Sequence, residues 1–168
     1  MSHFRFSLLV CVAILCNAAF AAETPTSPMP KSLLSKAEQS DSEVREQFQR
    51  EAGHAPSTGR ELLQWLDQKS LRATNLDDAQ KDALVQSYGA VLGQVLLREF
   101  GGRWVVVPSQ GNSPGIDLPG GKVAFVFNRA ARRIFDGDAI GFVAFYESTA
   151  SYVRGSSLPP NVEAKSER

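Results

Sequence analysis

The sequence predicts an α+β domain, with a helical N-terminal half packed on one face of a small antiparallel sheet. Three observations carry this. Apolar residues recur at helical spacing up to Phe100. The glycine pair Gly101-Gly102 then breaks the pattern. Beyond it come two β-branched and aromatic runs, Arg103 to Val107 and Lys122 to Phe127.

The chain opens on the three parts of an export signal. Arg5 supplies a positive start, Phe6 to Cys16 an apolar run, and Ala19-Phe20-Ala21 the small residues that a signal peptidase reads. Met1 to Ala21 is therefore predicted to be removed before Ala22. A spanning helix needs roughly 20 apolar residues, and Asn17 interrupts this stretch. Val10 and Leu15 precede the two cysteines, Cys11 and Cys16, where a lipoprotein signal needs a small residue. Both cysteines leave with the signal, which excludes disulfides, thiolate nucleophiles and zinc-thiolate sites from the mature domain. A cysteine-free exported chain points to a bacterial periplasm.

The chain has 18 Lys+Arg and 18 Asp+Glu. Loss of Arg5 leaves 17 against 18, a balance unlike that of nucleic-acid or polybasic membrane binders. Residues 22–31 are rich in Pro, Thr and Ser and are predicted to be a disordered leader. Residues 155–168 are predicted to be a disordered tail, leaving one domain over 32–154.

Ser40-Asp41-Ser42-Glu43 has capping-box spacing and opens a first helix. Its stripe of Val44, Phe48 and Ala52 is thin, so it is expected on the surface. Thr58-Gly59-Arg60-Glu61 opens a second helix bearing Leu62, Leu63, Trp65 and Leu66. Asn75 is expected to cap the third, with Asp77 and Asp78 near its positive end. Its apolar face runs through Leu84, Tyr88, Val91, Leu92, Val95 and Leu96. Gly89 and Gly93 each cost about 1 kcal/mol of helix propensity. Close approach of another backbone is the expected compensation, since Gln86, Gln94 and Arg98 rule against a membrane pair.

Pro108 to Gly121 reads as a Gly/Pro loop with a short strand at Ile116 to Leu118. Asn128 is expected to cap a short helix through Ala130, Ala131, Ile134 and Phe135, which Gly137 stops. Asp138 caps a last element containing Ile140, Val143 and Tyr146, read as helix, although Phe142 to Tyr146 would also pass as a strand.

Tyr88-Gly89-Ala90-Val91-Leu92-Gly93, Phe100-Gly101-Gly102-Arg103-Trp104, and Val123 followed by Arg129, Arg132, Arg133 and Phe135-Asp136-Gly137-Asp138 form an ordered series. In this the chain resembles uncharacterised bacterial domains of the DUF3806 type, from about residue 60 to about residue 150. The resemblance implies the fold and lends no activity, cofactor or catalytic residue.

Gly111-Asn112-Ser113-Pro114-Gly115 matches the G-x-S-x-G pattern of serine hydrolases, which needs a strand-to-helix turn and a later acid and His. Pro108 interrupts the strand side, Pro119-Gly120-Gly121 cannot open a helix, and His54 lies upstream. A Gly/Pro turn explains the pattern. Gly120-Gly121-Lys122 precedes Val123 rather than Ser or Thr, so a turn fits better than a phosphate cradle. His54 stands without companions, and Asp136 and Asp138 are too few for a calcium loop. No catalytic residue, metal ligand or cofactor is assigned.

Arg129, Arg132 and Arg133 share one helix face, at i, i+3 and i+4. Arg103 would lie near them if its strand pairs with Lys122 to Phe127. Guanidinium clusters recognise carboxylates and phosphates, so these four are the candidate partner-binding residues. A solvated face paired with scattered acids is the competing explanation. The expectation is a non-enzymatic interaction module of the cell envelope, an immunity or inhibitor protein being one form, with another envelope or exported protein as partner. The alternative is a small envelope hydrolase using Asp, Glu or Ser.

Overall fold

The computed structural model describes residues 25–156. The predicted signal peptide of residues 1–21 and most of the predicted tail, 157–168, lie outside the described residues. The α+β class stands. The described helices are α1 (Lys31–Ala52), α2 (Gly59–Ser70), α3 (Asp78–Phe100), α4 (Val126–Ile134) and α5 (Phe142–Ser156). The strands β1 (Ser27–Pro28), β2 (Arg103–Val107), β3 (Ser113–Leu118) and β4 (Lys122–Ala124) form one antiparallel sheet in chain order.

The central helix is α3, packed between α1 and α4. Val91, Leu92 and Leu96 of α3 are fully buried with Leu62, Leu63 and Leu66 of α2. On the sheet, Trp104, Ile116 and Ala124 stand opposite one another on successive strands and join this core. Both α3 and α4 lie against β3. The covering layer thus includes a C-terminal helix besides the N-terminal ones.

The domain begins earlier than composition predicts. Residues 22–31 were expected to be a disordered leader, yet Ser27 and Pro28 form an edge strand opposite Val106 and Val105. Pro28 is tolerated because an edge strand has one side free of ladder bonds. Met29 follows into the core and donates its backbone N–H to Trp104 O at 3.3 Å. Helix α1 then starts at Lys31, not at the Ser40 box. Asp41 is not in a cap but is 3% exposed, where it binds Arg45 Nε at 3.0 and 3.1 Å and Arg98 of α3. At the other end α5 continues to Ser156, two residues into the predicted tail.

The caps of α2 and α3 show local chemistry at work. Thr58 caps α2 by accepting from Glu61 N at 3.0 Å, while the Glu61 carboxylate returns to Ser57 N, one residue further back than the box predicts. Asp77, not Asn75, caps α3. It accepts from Gln80 N at 2.8 Å, and the Gln80 side chain accepts from Asp77 N at 3.1 Å. Asn75 instead ends a short 3-10 turn over Ala73–Asn75.

The second predicted strand is too long. β4 ends at Ala124, and Val126 and Phe127 begin α4, so Asn128 is not its cap. Val126, Ala130 and Ile134 recur every four residues and are buried, a helical spacing that outweighs the β-branched character of the run. Phe127 explains Gly89, where a Cβ would sit 2.5 Å from Phe127 Cδ1 and 3.1 Å from its Cα. At Gly93 the neighbour is the Trp104 indole, a side chain rather than the expected backbone.

Candidate interaction surface

The segment from α4 to α5 assembles around Asp138. Gly137, at φ 65°, turns the chain out of α4. The Asp138 carboxylate accepts from Ile140 N at 3.0 Å through Oδ1. Its Oδ2 lies 2.9 Å from Arg129 Nη2 and 3.0 Å from Arg132 Nη2. The Ile140 N–H and then the Arg129 guanidinium hold the Asp138 carboxyl below its ordinary pKa. Arg133 donates through Nη1 to Asp138 O at 2.7 Å and through Nε to Ser70 Oγ at 3.0 Å. Ser70 Oγ in turn donates to Asp67 O at 2.7 Å.

The helix spacing therefore does bring Arg129, Arg132 and Arg133 together, but largely inward. Arg129 and Arg133 are 7% and 11% exposed, and only Arg132, at 65%, presents its charge to solvent. Arg103 does not join them through strand pairing, because β3 lies between its strand and β4. It faces Asp117 across β2 and β3, with Nε at 3.1 Å and Nη2 at 3.0 Å from Oδ2. Asp138 does not cap α5 either. That cap comes from Asp67 of α2, which accepts from Phe142 N and Val143 N.

Just outside this polar network is a depression of about 450 Å³ at the ends of α2 and α4. Leu71 and Phe135 form its apolar walls and are 66% and 41% exposed. Lys81 of α3, Arg133 and Asp136 supply its charged lining. Lys81 Nζ lies 5.7 Å from the Phe135 ring centroid. Sequence reasoning missed this surface. The available signal was a large apolar residue directly after the last residue of a helix, Leu71 after Ser70 and Phe135 after Ile134, the latter just before Asp136-Gly137. A second hollow of about 490 Å³ lies beside α1, with Leu33, Ala37, Ala90 and Phe127 in its lining.

Ser113 opens β3, and its hydroxyl donates to Gln110 O. His54 packs edge-on against Phe48 and has Nδ1 2.9 Å from Ala55 O. The two share none of these contacts, so no relay joins them through these groups. Gly120 and Gly121, at φ 91° and 78°, form the β3–β4 turn, and Lys122 Nζ rests 4.1 Å from the Tyr152 ring centroid. Among the described residues, no three His, Cys, Asp or Glu gather as metal ligands. Among them, too, no helix is long and apolar enough to cross a membrane. Comparison with protein-family models, with curated proteins and with solved structures finds no match to this chain.

Proposed function

We propose that this chain is an exported, non-enzymatic interaction module of the cell envelope, and that it binds another envelope or exported protein at the Leu71–Phe135 depression. An immunity or inhibitor protein is one concrete form of this role. The observation that carries the reading is the pairing of two exposed large apolar side chains in one concavity. Large apolar groups grouped on a surface mark binding sites, whereas scattered single ones need no explanation. The hydrogen bonds beside them, from Arg133 to Ser70 and to the Asp138 carbonyl, support it, because a surface tied into one shape loses less entropy on binding. The reading keeps the expected arginine-bearing helix but moves the contact surface from the guanidinium face to its C-terminal end.

The test is site-specific photocrosslinking in cells that produce the chain. A crosslinker at Leu71 or Phe135 should give a discrete adduct, and one at Gln49, exposed on α1, should not. Equal labelling from all three positions would remove the assignment of this surface.

A further inference from the structure

We propose that the depression takes a protein segment presenting a carboxylate beside an apolar side chain, and that Lys81 is the cation that recognises the carboxylate. The inference rests on the interaction reading above and names the partner's chemistry. Two apolar walls alone would accept any apolar group of the right size. Lys81 adds a charge to that choice.

Lys81 is half-buried and makes no ion pair among the described residues. Its ammonium lies over the Phe135 ring, 5.7 Å from the centroid, a contact that leaves its hydrogen-bond donors open to a further partner. A carboxylate arriving from a partner would form a charge-assisted bond. Covering Leu71 and Phe135 at the same time would lower the local dielectric and strengthen it.

The neighbouring arginines do not compete for that role. Arg133 spends Nε on Ser70 and Nη1 on the Asp138 carbonyl, and Arg129 is buried against Asp138. Arg132 already shares the Asp138 carboxylate. Asp136 lines the same depression and disfavours a carboxylate placed beside it, which leaves Lys81 as the cation that such a group would have to reach. The volume, about 450 Å³, is that of an ordinary ligand pocket, suited to a few side chains of a docked segment.

The experiment uses the mature chain, isotope-labelled for NMR, and three probes: the capped peptide Leu-Glu-Leu, its Leu-Gln-Leu counterpart and sodium acetate. The Glu peptide should shift Leu71 and Phe135 signals and bind about fivefold more tightly than the Gln peptide at low salt, the factor a partly screened ion pair supplies. Lys81→Gln, a change between good helix formers, should erase that preference, and Lys81→Arg should restore it. Equal binding of the two peptides, or a preference that survives Lys81→Gln, would overturn the proposal. Acetate producing the full effect would replace a protein segment with a free anion and overturn it too. If crosslinking at Leu71 persists while the Glu preference is absent, the interaction reading stands and only the partner chemistry falls. If Leu71 and Phe135 neither crosslink nor shift, both fall.

Discussion

The Asp67 carboxylate on α2 caps the first turn of α5. Its Oδ1 accepts from Phe142 N at 2.7 Å and its Oδ2 from Val143 N at 3.1 Å. One side chain thus satisfies two of the amide groups that every helix leaves open at its start, and a negative charge meets the positive end of the dipole. The contact fixes α5 against α2 and so sets the position of the loop that carries Asp138.

Removing this cap should loosen one helix before it unfolds the domain. Asp67→Ala is expected to lower stability by about 2 kcal/mol, the upper range for losing a cap. Asp67→Asn, which keeps one acceptor, should lose less. Urea denaturation gives the total, and amide exchange at Phe142 and Val143 should accelerate more than exchange in α3. Gly141 belongs to the same unit, since a Cβ there would sit 2.5 Å from Asp67 Oδ1 and 2.6 Å from Oδ2. Gly141→Ala should therefore displace the cap and be markedly less harmful in an Asp67→Ala background, a non-additivity that a double-mutant cycle reads directly.

Asp138 introduces a pH dependence. The Ile140 N–H and the Arg129 guanidinium depress its folded-state pKa. Its stabilising contribution is therefore fully present above the ordinary Asp pKa and is lost as pH falls through the depressed folded value. The stability difference between the parent chain and Asp138→Asn should be constant around neutral pH and shrink in strongly acid solution. A difference that grows on acidification would contradict the assignment.

The periodic parts of the fold were legible because period itself reports burial. Leu62, Leu63 and Leu66, and Val91, Leu92 and Leu96, lie where their spacing puts them. The boundaries were less legible, because the deciding partner is often distant in sequence. Asp41 sits in a capping-box pattern, but Arg98, far along the chain, draws it into a buried inter-helix contact. Val126 and Phe127 have strand character, yet they begin α4, whose Phe127 backbone and ring fit closely against Gly89, far back in the sequence. The arginine face was visible as a face, but its direction was not. Whether Arg129 meets solvent or Asp138 depends on how the loop after Gly137 folds back, which spacing does not encode. Phe135 reads in sequence as part of the short helix's apolar series, and Leu71 carries no signal of its own, since apolar residues at helix ends are expected to turn inward.

Gly93 makes a quantitative test of the α3–sheet contact. Alanine would gain about 1 kcal/mol of helix propensity over glycine at an exposed position. Here its Cβ would overlap the Trp104 indole. Overpacking of this kind costs about 1–3 kcal/mol, so Gly93→Ala should destabilise on balance and shift the Trp104 emission. Gly93→Ala in a Trp104→Phe background, where the ring is smaller, should recover part of the loss.

The three arginines of α4 should separate by burial, although sequence spacing makes them equivalent. Arg132 is 65% exposed and shares its acid with Arg129, so Arg132→Ala should change stability by no more than about 0.5 kcal/mol. Arg133→Ala removes bonds to Ser70 Oγ and the Asp138 carbonyl and should lose about 2 kcal/mol. Arg129→Ala leaves a void where a 7% exposed side chain stood and should lose about 3 kcal/mol. Arg129→Met tests the charge apart from the volume. Its Nε has no hydrogen-bond partner, and methionine refills most of the volume that the arginine stem occupies. Asp138 keeps Arg132 as its cation, so Arg129→Met should stay within about 1 kcal/mol of the parent. Urea midpoints measured on the four variants give the order. An Arg132→Ala loss as large as that of Arg129→Ala would show that the exposed guanidinium, not the buried one, holds the loop.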